Sequence, residues 1–151
     1  ALVPIVEEEE VQVNLAGTAK RGIVVTTEEE LAFYAHVARI CDRSPRAKPL
    51  GYKDTVSYFG VNLCGRPHSW FLRGFFNGSR KYITTKLPVW LAAVLARGCQ
   101  VDAPPKNLGN SRIYFPDSIH DVAALDYLVS AAFEYELHQD SAPQPANISG
   151  V

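Results

Sequence analysis

The sequence predicts an α+β domain: a three-stranded antiparallel meander with about three helices packed mainly on one face, and extended N- and C-terminal arms. Three observations predict it. Short segments that alternate apolar and polar residues follow one another between Asp54 and Thr84. Turn signals separate them, at Cys64-Gly65-Arg66-Pro67 and at Asn77-Gly78. Helical periodicity is confined to segments before and after this block, so helices and strands are grouped rather than alternating.

A chain of 151 residues with 47% hydrophobic content fits one domain of ordinary size. Residues 1–22 read as an arm, 23–138 as the domain and 139–151 as a tail containing Pro, Ser and Ala. Glu7 to Glu10 repel one another and stand where a signal peptide would need an apolar stretch. Val11 to Leu15 alternates and suits a short edge strand. The longest apolar run, 88–96, is too short to span a bilayer, so no membrane partner is expected. Cys41, Cys64 and Cys99 fit no zinc spacing and read as reduced thiols of an intracellular, cytoplasmic protein. The sequence has no methionine, which suits either removal of an initiator before Ala1 or a piece of a longer chain.

The first helix is predicted to start at Thr26 or Thr27, where Thr27 and Glu30 form a capping box. Glu28 to Glu30 complement the positive end of the helix dipole, a better use for these acids than metal binding. Leu31, Tyr34, Val37, Ala38 and Cys41 give its apolar stripe. The meander strands are predicted at 54–63, 69–76 and 80–84. Alternation puts Phe59, Val61 and Leu63 on one face, and groups Phe71, Arg73 and Phe75 against Trp70, Leu72 and Phe76. Pro88 opens a second helix that Gly98 ends, and 112–115 suits a short strand. Ser118 with Asp121 caps a third helix, with Ile119, Val122, Leu125, Leu128, Ala132 and Tyr135 as its stripe.

The net charge of -1 conceals a split. Between Asp42 and Lys81 the bases are Arg43, Arg46, Lys48, Lys53, Arg66, Arg73, Arg80 and Lys81, against Asp42 and Asp54 alone. Beyond Arg112 the chain has acids and no Lys or Arg. A basic face for an anionic partner is the expectation, with an acidic remainder that limits non-specific binding. Lys53, Arg66, Arg73, Arg80 and Lys81 are the candidate nucleic-acid contacts. Aromatic residues interleave with them and could stack on unpaired bases, although most must serve the core.

No motif for catalysis, a metal or a cofactor is present. The four histidines show no ligand spacing. Asp54, alone in the basic block, is expected to form a structural ion pair with Arg73 or to hold Lys81. A lone carboxylate is a poor metal site.

Val24-Val25-Thr26-Thr27-Glu28-Glu29-Glu30-Leu31 leads into a helix, and Lys53-Asp54-Thr55 and Ser57-Tyr58-Phe59-Gly60 follow on a strand. Arg73, Phe76-Asn77 and Lys81-Tyr82-Ile83 come next. This ordered set resembles the C-terminal accessory domain of bacterial proteins related to the type I restriction endonuclease subunit. The resemblance covers about residues 22–85, with a weaker echo around 118–127. An acidic linker commonly precedes that domain, as Glu7 to Glu10 do here. The family's nuclease core is absent from this chain, so cleavage does not carry over. Gly74 and the longer, more helical 86–112 segment also depart from the pattern. The resemblance implies an accessory role near nucleic acid, with Asp54, Tyr58, Arg73 and Lys81 at the matching positions. Two functions are therefore expected: a non-enzymatic nucleic-acid-binding domain, or an assembly protein whose terminal arms pack on neighbouring copies in a homo-oligomer.

Overall fold

A computed structural model of the chain describes residues 25–46 and 48–140 in full, the backbone of Ser141, and the strand segments Ile5–Val6, Val11–Val13 and Ala19–Arg21. Those three strands are β1, β2 and β3. Helix α1, Glu28–Cys41, begins at the predicted capping box: the Thr27 hydroxyl accepts from the Glu30 amide, and the Glu30 carboxylate accepts from the Thr27 amide. Its buried stripe is Phe33, Tyr34, Val37, Ile40 and Cys41. Leu31, expected on that stripe, is 45% exposed.

The sheet is wider than the predicted meander. Strands β4 (Leu50–Asp54), β5 (Phe59–Leu63), β6 (Trp70–Phe75) and β7 (Tyr82–Thr85) are joined by β8 (Val101–Asp102) and β9 (Ser111–Tyr114). The order is β1-β4-β5-β6-β7-β9-β8, with β1 parallel to β4 and every other pairing antiparallel. The segment 11–15, expected at an edge, contributes β2 to a separate hairpin with β3. The strand predicted at 54–63 begins only at Phe59, as β5, and β4, which ends at Asp54, precedes it as a strand that was not predicted. Thr55 makes the turn between them, since its hydroxyl accepts from the amides of Ser57 and Tyr58 and reverses the chain before β5.

Register assigns the two sheet faces. Tyr52, Val61 and Leu72 lie across from one another on one face, as do Ile83 and Ile113. The last four are fully buried. Phe33 of α1 meets Phe59, Phe76 and Phe115 edge to face on this side, with ring centroids 6.2, 5.1 and 6.5 Å away. The register shifts between Val61 and Asn62, which face Leu72 and Trp70, so Phe71 is an extra residue in β6. This bulge turns Phe71 onto Phe133, 5.4 Å away, instead of leaving it beside Arg73 and Phe75 as strict alternation would. Gly74 leaves room for Phe76, because a Cβ there would meet the Phe76 ring at 2.3 Å.

Helix α2, Val89–Leu95, follows Pro88 and is shorter than predicted. It packs beside β8, β9 and helix α3, which spans Asp126–Ser141. The Ser118–Asp121 capping box forms, yet it starts a 3-10 turn at Ile119–Ala124, not the helix itself. A 3-10 turn advances three residues per turn rather than 3.6, so the apolar phase slips at Leu125. Beyond it the buried residues are Leu128, Val129, Ala132, Phe133, Glu136 and Leu137, while Tyr135 is 38% exposed. Helix α3 also passes the domain end expected at residue 138, and Asp140 accepts from Lys48, Arg66 and Ser69. The rest of the predicted tail and most of the N-terminal arm, with the arm contacts expected to build an oligomer, lie outside the described residues.

Candidate nucleic-acid interface

The helices pack on the Val61–Leu72 side, and no described helix covers the other. Residues there are placed by register in transverse rows. Lys53, Gly60, Arg73, Thr84, Arg112 and Asp102 oppose one another from β4 to β8. Phe75, Tyr82 and Tyr114 form the next row. Asn62 and Trp70 lie on the opposite side of the first.

Rings and cations interlock across these rows. Tyr58, Phe75, Tyr82 and Tyr114 follow one another with centroid separations of 6.0, 4.9 and 5.5 Å. The Arg73 guanidinium lies 4.4 Å from the Tyr58 ring centre and 4.2 Å from that of Trp70. Arg80 lies 3.8 Å above Tyr114. Arg112 lies 5.0 Å from Tyr82 and 5.1 Å from Tyr114. Such contacts are worth about 0.5–1 kcal/mol each where solvent reaches them, and they hold the guanidinium planes flat. A guanidinium plane, like a ring, is a surface on which a base can stack.

Two of the cations retain their charge for a ligand. Burial lowers the Arg73 pKa, yet no acid contacts its guanidinium among the described residues. Arg80 is exposed and, among the described residues, hydrogen-bonds the neutral Gln100 side chain. Arg112 is held by Asp102 at 2.8 Å, and this hydrogen bond lowers the Asp102 pKa and raises that of Arg112. Below the rings, the Asn62 amide and the Thr84 hydroxyl are buried and unpaired among the described residues.

The predicted basic site is therefore divided. Lys53, Arg73 and Arg80 belong to the open side. Arg66 instead grips Asp140 through both carboxylate oxygens, at 2.9 and 2.8 Å. Lys81 bonds Glu29 of α1 at 2.6 Å, because it neighbours Tyr82 and alternation sends it to the helix side. The expected Asp54–Arg73 ion pair does not form. Asp54 faces Phe59, which faces Gly74, so Arg73 one residue earlier in β6 points the other way. Asp54 is buried and accepts from the Thr26 hydroxyl at 2.7 Å. Burial, with Glu30 close by, pushes its pKa up to about 6 against the pull of Thr26.

Sequence reasoning missed Arg112, Tyr114 and Asp102 as members of this surface. The alternation Arg112-Ile113-Tyr114-Phe115 was the available signal, since it puts Arg and Tyr on one face of a strand. It also missed a contact between histidines 84 residues apart. His36 Nε2 lies 3.0 Å from His120 Nδ1, and Arg39 lies 2.8 Å from His36 Nδ1. Burial lowers the His36 pKa first, followed by Arg39 and His120. This pair joins α1 to the 3-10 turn, away from the open sheet face. Among the described residues no three His, Cys, Asp or Glu side chains converge as metal ligands, and no helix is long and apolar enough to cross a membrane. Compared with known proteins, the chain matches no family model, no curated sequence and no solved structure.

Proposed function

We propose that the protein binds single-stranded nucleic acid across the open face of its sheet, without catalysing a reaction. The observation that supports this reading is the ring row Tyr58–Phe75–Tyr82–Tyr114 with Arg73 and Arg80 laid against it. Rings offer stacking at about 1–3 kcal/mol per base and accept any sequence. A duplex hides its base faces, so it can use only the two arginines. The resemblance of residues 22–85 to the accessory domain of type I restriction endonuclease relatives belongs to the same proposal.

Fluorescence anisotropy with labelled ten-nucleotide DNA and RNA tests it. Single strands are expected to bind more tightly than duplex of equal length. Neutralising about two phosphates gives a log–log salt slope of roughly −1.5 for a single strand. Absence of binding to either strand at 50 mM salt, where the Debye length is about three times that at 0.5 M, rejects the proposal.

A second reading, assembly with another copy of the chain, has its own support. Trp90 and Val94 stand one turn apart on α2 and are 69% and 57% exposed, and Tyr127 at the start of α3 is 78% exposed. Val94, Leu125 and Tyr127 border a cavity of about 380 Å³. Exposed apolar groups clustered in this way mark contact surfaces. Light scattering decides: a dimer that Trp90→Glu makes monomeric supports assembly here, and a monomer at every concentration rejects it.

A further inference from the structure

A cavity of about 310 Å³ opens at the end of the ring row, beside Arg80 and Tyr114. Its volume lies at the small end of ligand sites, which run from ~300 to ~1,000 Å³, and suits one nucleotide. The walls bring together Ser79, Arg80, Gly98, Gln100, Tyr114 and Asp117. Gly98, at φ +87°, has nothing within 4 Å of where a Cβ would stand, so that wall is open to a ligand.

The polar groups differ in kind. Arg80 is a cation held against Tyr114 and by the Gln100 side-chain oxygen. That contact leaves the Gln100 amide nitrogen as a donor. Asp117 is exposed, and its carboxylate has no partner among the described residues. Its backbone is nevertheless fixed, because the amides of Asp117 and Ser118 both donate to Asp121, at 2.7 and 3.0 Å. A carboxylate only accepts hydrogen bonds. Of the four common RNA bases only guanine presents two adjacent donors, N1–H and the N2 amino group. Adenine and cytosine set an acceptor nitrogen beside their amino group, and uracil flanks its N–H with two carbonyls.

We propose that this cavity takes one guanine nucleotide, its N1–H and N2 amino group on Asp117, its O6 on the Gln100 amide and its phosphate on Arg80. This rests on the single-strand reading above, and places a guanine at the end of the bound strand where the ring row meets the cavity.

Calorimetric titration with GMP, AMP, CMP and UMP tests the cavity apart from the sheet face. GMP is expected to bind roughly tenfold more tightly than AMP, and Asp117→Asn to abolish that preference. Ser79→Phe, which fills the cavity mouth from an exposed turn, is expected to weaken GMP in parallel. Decathymidylate, alone or with one guanine at its 5′ or 3′ end, then joins the two proposals. A roughly tenfold gain from guanine at one end supports the placement. Equal binding of the three strands overturns it. GMP bound no better than AMP overturns the cavity, whatever the strands do. GMP preference without any strand binding upholds the cavity and overturns the single-strand reading.

Discussion

Arg73 and Arg66 show how far a side chain's neighbours decide its use. Arg66 is neutralised by Asp140, whereas Arg73 lies between Tyr58 and Trp70 with no acid in contact among the described residues. Arg73→Ala is therefore expected to weaken single-strand binding by about fivefold to tenfold, as loss of a phosphate or stacking contact does. Arg66→Ala is expected to leave binding within twofold, measured by the same anisotropy titration. Asp54 supports a pH prediction. Its folded pKa of about 6 lies above the ordinary carboxyl value, so the folded state holds a proton that the unfolded chain releases at lower pH. The stability this proton contributes is full below about pH 4 and is lost as pH rises through 6. Asp54→Asn mimics the protonated acid. Urea denaturation is expected to show its stability relative to wild type rising by about 1–2 kcal/mol between pH 4 and pH 8. Both charges are plain in the sequence, but their partners are not. Asp140 lies 74 residues from Arg66 and Glu29 lies 52 from Lys81, distances over which no spacing rule operates.

At the scale of elements, two local features reset the sheet. The Thr55 turn delays the strand expected from Asp54 until Phe59 and pairs it with β4, and the extra residue at Phe71 moves a ring from the open side to the core. The Thr27 capping box and Pro88 marked the starts of α1 and α2, because those signals act within a few residues, whereas the Ser118 box opens the 3-10 turn ahead of α3. Strand number and register were less legible: the alternation at 112–115 marked β9, but its place beside β7 and the two-residue β8 beyond it arise only from pairing. Gly74→Ala probes the packing that results. Its Cβ would stand 2.3 Å from the Phe76 ring, which Phe33 and Phe115 also contact. Overpacking of this kind is expected to cost about 1–3 kcal/mol in thermal or urea unfolding. Asp140 tests the far end of α3. Hydrogen bonds, that from Lys48 first, hold its pKa below the usual range, so its contribution is present at neutral pH and fades as pH falls through that depressed value. Asp140→Ala is expected to cost about 1 kcal/mol at pH 7 and nothing once wild-type Asp140 is protonated.

Over the whole molecule, the charge split predicted from the sequence takes a different form in three dimensions. Acids of α3 pair with bases from the loop before β4 and from Lys86, as in Arg46–Glu134, Lys48–Asp140 and Lys86–Glu136. The basic block is thus largely spent on docking α3, and the open side keeps a narrower set of cations set among rings. The most direct test of this account is a nuclear magnetic resonance titration of the labelled protein with a ten-nucleotide single strand. Shifts are predicted at the Trp70 indole, at Arg73 and along Phe75, Tyr82 and Tyr114, with α1 and α3 unmoved. Shifts confined to α2 and Tyr127, or none at saturating strand, would contradict the account.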